Sequence, residues 1–117
     1  MKKILIVEDD IDILELVELL LQGNGYAVIK VNRQISIKEV AGINPQLVII
    51  DYLLPYGLGS ELCLQLKSDK STNHIPVILY SASSKLQTLA KASCADGYIA
   101  KPFDINDLIN MVNRLAL

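Results

Sequence analysis

The feature that most constrains this chain is a regular alternation of short apolar runs with segments whose apolar residues have helical spacing. Short β-branched runs favour strands, whereas apolar residues three and four positions apart favour amphipathic helices. We predict strands at Lys3–Val7, Tyr26–Val31, Leu47–Ile50, Val77–Tyr80 and Gly97–Ala100. We predict helices at Asp12–Gln22, Ile37–Ile43, Ser60–Ser68 and Lys85–Ser93, and a last helix that Asp104 caps.

The limits of two elements are marked by local signals. Ser36 and Glu39 have the spacing of a capping box, and Ile35 with Val40 occupies the positions of a hydrophobic staple around it. The run "GNG" at Gly23–Gly25 predicts the end of the first helix and a turn into the second strand.

The order of these elements predicts an α/β fold. Strands that alternate with helices form a parallel sheet, and the wholly apolar run Leu47–Ile50 predicts a central strand that is covered on both faces. We therefore expect a doubly wound sheet between two layers of helices. The length of 117 residues is typical of one domain, so we predict a single domain over residues 1–117.

Composition excludes several functions and locations. The formal charge is -2 and the 11 basic residues are scattered, which argues against direct binding of nucleic acid. Apolar runs are shorter than the roughly 20 residues of a membrane span, and "MKKILIVEDD" lacks the long apolar region of a secretory signal, so we expect a cytoplasmic protein without a membrane contact. Cys63 and Cys94 have no metal-ligand spacing and are predicted to be free thiols, and His74 is predicted to lie in a loop.

Polar side chains collect where the predicted strands end. They are Glu8, Asp9 and Asp10 after the first strand, Asp51 after the third, Ser81 after the fourth and Lys101 after the fifth. The carboxyl ends of parallel strands meet at one edge of a doubly wound sheet, which is where such folds place their sites. Each residue alone could be a turn, helix-cap or surface residue, but their convergence favours a common site.

Carboxylates that converge in this way repel one another unless a cation neutralises them. Mg²⁺ suits such a site because it binds one or two carboxylates together with waters and a phosphate, and Asp9 with Asp51 would supply the two carboxylates. An aspartate can accept a phosphoryl group covalently. The ammonium group of Lys101 and the hydroxyl group of Ser81 would then contact the phosphoryl oxygens.

Four motifs in this order resemble the receiver domain of two-component response regulators, over essentially the whole chain. They are "VEDD" after the first strand, "DYLLPYGLG" in the form D-x-x-x-P-x-x-x-G, "YSA" at the fourth strand end and "GYIAKPF" at the fifth. The resemblance implies a chemotaxis-regulator-like fold, which is a (βα)5 flavodoxin-like three-layer sandwich with strand order 2-1-3-4-5.

The resemblance also implies a role for each matching residue. Asp51 would be the phosphoacceptor, Lys101 would contact the phosphoryl group, and Ser81 would move toward it while Tyr98 rotates inward as a switch residue. Asp10 matches a variable position, and we assign it to the start of the first helix.

The same resemblance assigns the metal ligands. Mg²⁺ would bind Asp9, Asp51 and the backbone carbonyl group of Leu53, with Glu8 acting through water. Leu53 and Ser83 occupy positions expected to modulate hydrolysis of the phosphorylated state, and the apolar Leu53 predicts slow self-dephosphorylation.

The implied function is that of a signalling domain rather than an enzyme. The phosphodonor would be a sensor histidine kinase or a histidine phosphotransfer protein, and the protein would be a monomer or a weak phosphorylation-dependent dimer with an unidentified downstream target. Three alternatives stay open: a phosphohydrolase of the haloacid-dehalogenase type, which wants an Asp where this chain has Leu53; a flavin binder, whose phosphate the acidic run at 8–10 would repel; and a degenerate receiver that only binds partners.

Overall fold

The computed structural model describes residues 1–81, 95–100 and 103–117. The strands are β1 (Lys3–Val7), β2 (Ala27–Val31), β3 (Leu47–Asp51), β4 (Leu53–Leu54), β5 (Gly57–Leu58), β6 (Val77–Ser81) and β7 (Gly97–Ala100). The helices in the described part are α1 (Ile11–Gln22), α2 (Ile37–Ile43), α3 (Gly59–Ser68) and α4 (Ile105–Leu115). The helix predicted at 85–93 lies outside the described residues.

Five of the strands form one parallel sheet in the order β2-β1-β3-β6-β7. Because β4 and β5 form a separate antiparallel hairpin, this order is the predicted 2-1-3-4-5 by position. Every residue of the central strand β3 is buried, as its uninterrupted apolar sequence indicated. The prediction of a doubly wound, flavodoxin-like sheet is confirmed.

Two apolar clusters cover the two faces of the sheet. One contains alternate residues of the central strands together with α1 and α4, including Ile6, Ile49 and Ile78. The other contains the intervening residues with α2 and α3, including Leu5, Ile50 and Cys63. The period of two in a strand therefore distributes one apolar run between two cores.

The helix ends follow the predicted capping signals. Ser36 accepts a hydrogen bond from the backbone nitrogen of Glu39 at 3.1 Å, and the Glu39 carboxylate accepts one from the backbone nitrogen of Ser36 at 3.3 Å. Asp104 caps α4 by accepting from the backbone nitrogen of Asn106 at 2.8 Å. Asn44 ends α2 in the left-handed region with φ of 50°, a conformation that asparagine tolerates.

Small differences from the predicted bounds concern the ends of elements. β3 includes Asp51 and β6 includes Ser81, because backbone pairing continues one residue beyond the apolar run in each strand. No strand was predicted between Ile50 and Ser60, where the structure has the hairpin of β4 and β5. Cys63 is a free, buried thiol and His74 lies in an exposed turn, as predicted, whereas Cys94 lies outside the described residues. Among the described helices, none is long and apolar enough to span a membrane.

Candidate acidic site

Three carboxylates converge at the carboxyl edge of the sheet. Glu8, Asp9 and Asp51 each offer an oxygen atom, and these atoms all lie within 4.8 Å of one another. Glu8 is fully buried and Asp51 is 7% exposed, whereas Asp9 is open to solvent. The structure thus brings together two buried acids from neighbouring strands and one exposed acid, which the sequence had placed at this edge.

Asp51 is held by the backbone on both sides of it. Its strand β3 lies between β1 and β6, and in the register of the sheet Asp51 pairs with Tyr80. The backbone nitrogen of Leu53 donates a hydrogen bond to Oδ1 of Asp51 at 3.3 Å. The carboxylate is therefore attached to the rigid end of a buried strand and to the start of the hairpin that follows.

The close approach of α3 to this strand requires a glycine. A Cβ atom at Gly59 would lie 2.0 Å from the carbonyl oxygen of Asp51 and 2.8 Å from Cγ2 of Ile50. The backbone nitrogen of Gly59 donates a hydrogen bond to the carbonyl oxygen of Tyr52 at 2.7 Å. The last residue of the motif D-x-x-x-P-x-x-x-G is thus fixed by packing against the backbone of its first residue.

Asp10 has a different role from its two neighbours. It is the N-cap of α1, and its Oδ1 atom accepts hydrogen bonds from the backbone nitrogens of Asp12 and Ile13 at 3.0 and 3.2 Å. This confirms the assignment of Asp10 to the start of the helix.

Ser81 and Tyr98 lie on neighbouring strands at the same edge. Ser81 is buried and is the last residue of β6, and its partner in β7 is Ala100. Tyr98, two residues earlier in β7, is 39% exposed, and it has the same side-chain direction as Ala100 because directions alternate along a strand. Lys101 and Ser83, which were predicted to contact the phosphoryl group and to modulate its hydrolysis, lie outside the described residues.

Two tyrosines near the acids were not recognised from the sequence. Burial and the nearby negative charges of Glu8 and Asp51 raise the pKa of Tyr80 far above its usual value. Partial burial and the negative charge of Asp9 raise the pKa of Tyr56, whose hydroxyl group donates to the carbonyl oxygen of Arg33 at 2.8 Å. In the sequence, Tyr80 was indistinguishable from any other residue of an apolar strand.

The three carboxylates fit a hard divalent cation. All the donors are oxygen atoms, they come from two adjacent strand ends, and Asp9 is open to the solvent that would complete an octahedral shell. Their mutual repulsion would decrease if a cation bound between them. The chemistry of the donors therefore matches Mg²⁺ better than a soft metal, which prefers sulfur or imidazole ligands.

Comparison with known proteins agrees with the fold. The family model described as "Response regulator receiver domain" matches residues 4–113. The DNA-binding dual master transcriptional regulator RpaA of Synechocystis is 34% identical over 98% of this chain, which covers 49% of that protein. This chain spans about half the length of RpaA and of the phosphate regulon regulator PhoB from Pseudomonas aeruginosa.

Two solved structures have nearly the same backbone. The signal receiver domain of a histidine kinase from Syntrophus aciditrophicus is 31% identical with a TM-score of 0.85, and the match covers 99% of this chain and 90% of that one. The response regulator TrrA of Thermotoga maritima, solved in complex with Mg²⁺ and BeF, is 28% identical with a TM-score of 0.82, covering 98% and 99% of the two chains. Since the family model spans nearly all of the sequence and the solved receivers share its sheet, the chain belongs to the response regulator receiver domain family.

Proposed function

We propose that this chain is a phosphoacceptor in a two-component phosphorelay, with Asp51 as the residue that is phosphorylated. The observation that supports this most directly is the cluster of Glu8, Asp9 and Asp51 at the carboxyl edge of the sheet. Glu8 and Asp51 are buried side by side, and because like charges repel, this arrangement favours a site that binds a cation. The family match gives the cluster its chemical meaning.

The transfer exchanges one phosphorus bond for another. A carboxylate oxygen of Asp51 attacks the phosphorus of a phosphohistidine on a histidine kinase or phosphotransfer protein. The bond between nitrogen and phosphorus breaks, its electron pair returns to the imidazole ring, and an acyl phosphate forms on Asp51. Because Asp51 is fixed by its strand and by Leu53, the attacking group is oriented before the donor arrives.

The other members of the site contribute charge and hydrogen bonds. We assign Mg²⁺ to Asp9, Asp51 and the backbone carbonyl group of Leu53, with Glu8 acting through water. When bound, Mg²⁺ would neutralise the charge that develops on the phosphoryl oxygens. Lys101 would contact the same oxygens, and the Ser81 hydroxyl group would donate to one of them.

The proposed output is a change of surface at Ser81 and Tyr98. Ser81 moves toward the phosphoryl group, and Tyr98, which points to the same side of the sheet, turns inward from its half-exposed position. We expect a monomer or a weak phosphorylation-dependent dimer, without direct contact with nucleic acid or membrane, in the cytoplasm. We assign residues 1–117 to one receiver domain and expect signalling rather than turnover, with slow self-dephosphorylation that Leu53 and Ser83 modulate.

Labelling with a small phosphodonor tests the proposal. The protein is incubated with acetyl phosphate and Mg²⁺, and its mass is measured with and without hydroxylamine, which cleaves acyl phosphates. We expect one added phosphoryl group in the wild type, loss of that group with hydroxylamine, and no labelling of Asp51→Asn or in excess chelator. Labelling that persists in Asp51→Asn would contradict the assignment of Asp51, and a wild type that neither becomes labelled nor binds BeF₃⁻ would favour a degenerate receiver.

A further inference from the structure

A short hairpin carries the residue proposed to offer a backbone oxygen atom to the metal. Leu53 and Leu54 form its first strand, and its two turn residues are Pro55 and Tyr56. A hairpin whose strands have two residues each is too short to keep a fixed orientation through its own pairing. The direction of the Leu53 carbonyl group therefore depends on what holds the hairpin from outside.

The base of the hairpin is attached to the end of the central strand. The backbone nitrogen of Leu53 donates to Oδ1 of Asp51 at 3.3 Å. The backbone nitrogen of Gly59 donates to the carbonyl oxygen of Tyr52 at 2.7 Å. Leu54 packs against the apolar cluster on the side of α2 and α3. Because apolar packing is non-directional, these contacts hold the base of the hairpin without fixing where its tip lies.

Tyr56 attaches the tip of the hairpin to a segment that is distant in the sequence. Its side chain is partly buried, and its hydroxyl group donates to the carbonyl oxygen of Arg33 at 2.8 Å. A hydrogen bond constrains direction as well as distance. The hairpin is thus held at its base by β3 and at its tip by Arg33, and Leu53 lies between the two attachments.

The acceptor of this hydrogen bond is itself held in place. Arg33 follows β2, whose last residue, Val31, accepts a hydrogen bond from the backbone nitrogen of Glu8 at 3.0 Å. The guanidinium group of Arg33 pairs with the carboxylate of Glu39 at 2.7 Å, and Glu39 belongs to the capping box of α2. The carbonyl group that Tyr56 contacts is therefore attached both to the acidic edge of the sheet and to a helix.

We propose that Tyr56 is a positioning residue for the metal site: its hydroxyl group, bound to Arg33, holds the hairpin in the orientation that lets the Leu53 carbonyl group serve as a ligand. This inference rests on the proposed function, since it requires that carbonyl group to bind Mg²⁺. Groups that orient a metal ligand directly typically change metal affinity by about 10- to 100-fold. The hydrogen bond of Tyr56 is open to solvent and acts through the backbone, so we expect a smaller effect of about 5-fold.

Calorimetric titration with two cations tests the proposal without a phosphodonor. Mg²⁺ demands nearly octahedral coordination, whereas Ca²⁺ accepts longer and more variable arrangements of oxygen ligands. A misdirected carbonyl group should therefore weaken the binding of Mg²⁺ more than the binding of Ca²⁺. In Tyr56→Phe we expect Mg²⁺ affinity to fall about 5-fold and Ca²⁺ affinity to change by less than about 2-fold.

Two further variants serve as references for this titration. Tyr26→Phe is the matched control, because the Tyr26 hydroxyl group also joins distant segments by donating to Asn113. Tyr26 precedes β2 and so lies at the amino edge of the sheet, opposite the acids, and its loss should leave both affinities unchanged. Asp9→Asn removes a charged ligand instead of misdirecting one, and it should weaken the binding of both cations.

A second measurement distinguishes a misdirected ligand from a damaged site. At saturating Mg²⁺, labelling of Tyr56→Phe by acetyl phosphate should approach the wild-type rate, so that only the Mg²⁺ requirement changes. Tyr56→Leu also lacks the hydroxyl group and should lose at least as much Mg²⁺ affinity as Tyr56→Phe.

Four results would overturn the inference: wild-type Mg²⁺ affinity in Tyr56→Phe, an equal loss in Tyr26→Phe, equal losses for Mg²⁺ and Ca²⁺ in Tyr56→Phe, or labelling of Tyr56→Phe that stays slow at saturating Mg²⁺. Each of them, with a wild type that binds Mg²⁺ and becomes labelled, leaves the proposed function intact. A wild type that binds no Mg²⁺ overturns the proposed function, and the inference with it.

Discussion

The backbone nitrogen of Leu53 donates a hydrogen bond to Oδ1 of Asp51, while the side chain of Leu53 is 60% exposed to solvent. The residue two positions after the proposed phosphoacceptor is thus anchored to it through the backbone and exposes an apolar side chain to solvent. An apolar group there cannot orient a water molecule for attack on an acyl phosphate.

We predict that Leu53→Asn loses phosphate faster than the wild type. An amide can orient the attacking water, and such placed polar groups contribute about 100-fold or more in favourable cases, so a gain of about 10-fold is expected here. The measurement is the decay of the phosphorylated protein after the donor is removed. Leu58→Asn is the control, because Leu58 pairs with Leu53 in the hairpin and tests damage to that hairpin alone. An unchanged or slower decay in Leu53→Asn would refute the shielding role.

We predict that Gly59→Ala is strongly destabilised. The new methyl group would overlap the carbonyl oxygen of Asp51, and backbone atoms cannot yield as a flexible side chain can. Overpacking of this kind costs about 3 kcal/mol, which urea denaturation would measure. Gly42→Ala is the matched control: nothing lies within 4 Å of its Cβ position, so helix propensity should make it more stable by about 0.5 to 1 kcal/mol. Equal stabilities of the two variants would contradict the close approach of α3.

The sheet and its polar edge could be predicted from the sequence because they depend on periodicity and on strand ends. Runs such as Leu47–Ile50 are apolar at every position, which is typical of a strand with two covered faces. The same property concealed Tyr80. When both faces of a strand are buried, the sequence does not show which of the two apolar clusters a side chain joins. For Tyr80, its pairing with Asp51 in the sheet register decides this.

The short hairpin after the site could not be predicted for a different reason. Its two strands have only two residues each, which is too short to show a period of two. The sequence carries local turn signals instead. Pro55 lies in the turn, and Gly57 follows it with φ of 154°, a value that favours glycine. The exposure of Leu53 follows from this hairpin and not from any pattern of hydrophobicity.

We predict that the stabilising contribution of Glu39 disappears in acid. Its hydrogen bond with Arg33 and the capping bond from Ser36 lower the pKa of Glu39. A carboxyl group whose pKa is lower in the folded state contributes stability above its unfolded pKa, and this contribution is lost as the pH falls. Glu39→Gln should therefore be less stable than the wild type at neutral pH, and the difference should shrink below about pH 4. Urea denaturation at both values measures it, and a difference that is independent of pH would contradict the role of charge.

We predict that Asp9→Asn makes the metal-free protein more stable and removes most of its response to Mg²⁺. Without a cation, Asp9 repels the buried Glu8 and Asp51, and since Asp9 is exposed, neutralising it should raise the free energy of unfolding by about 1 kcal/mol. Because a ligand that binds only the folded state stabilises it, wild-type protein should melt at a higher temperature in Mg²⁺ than in chelator, and Asp9→Asn should not. Asp12→Asn is the control: Asp12 is exposed in the first turn of α1, outside the cluster, so its loss should lower stability slightly and leave the Mg²⁺ response intact. If Asp9→Asn were less stable than the wild type in chelator, or kept the full Mg²⁺ response, the three carboxylates would not act as one cation site.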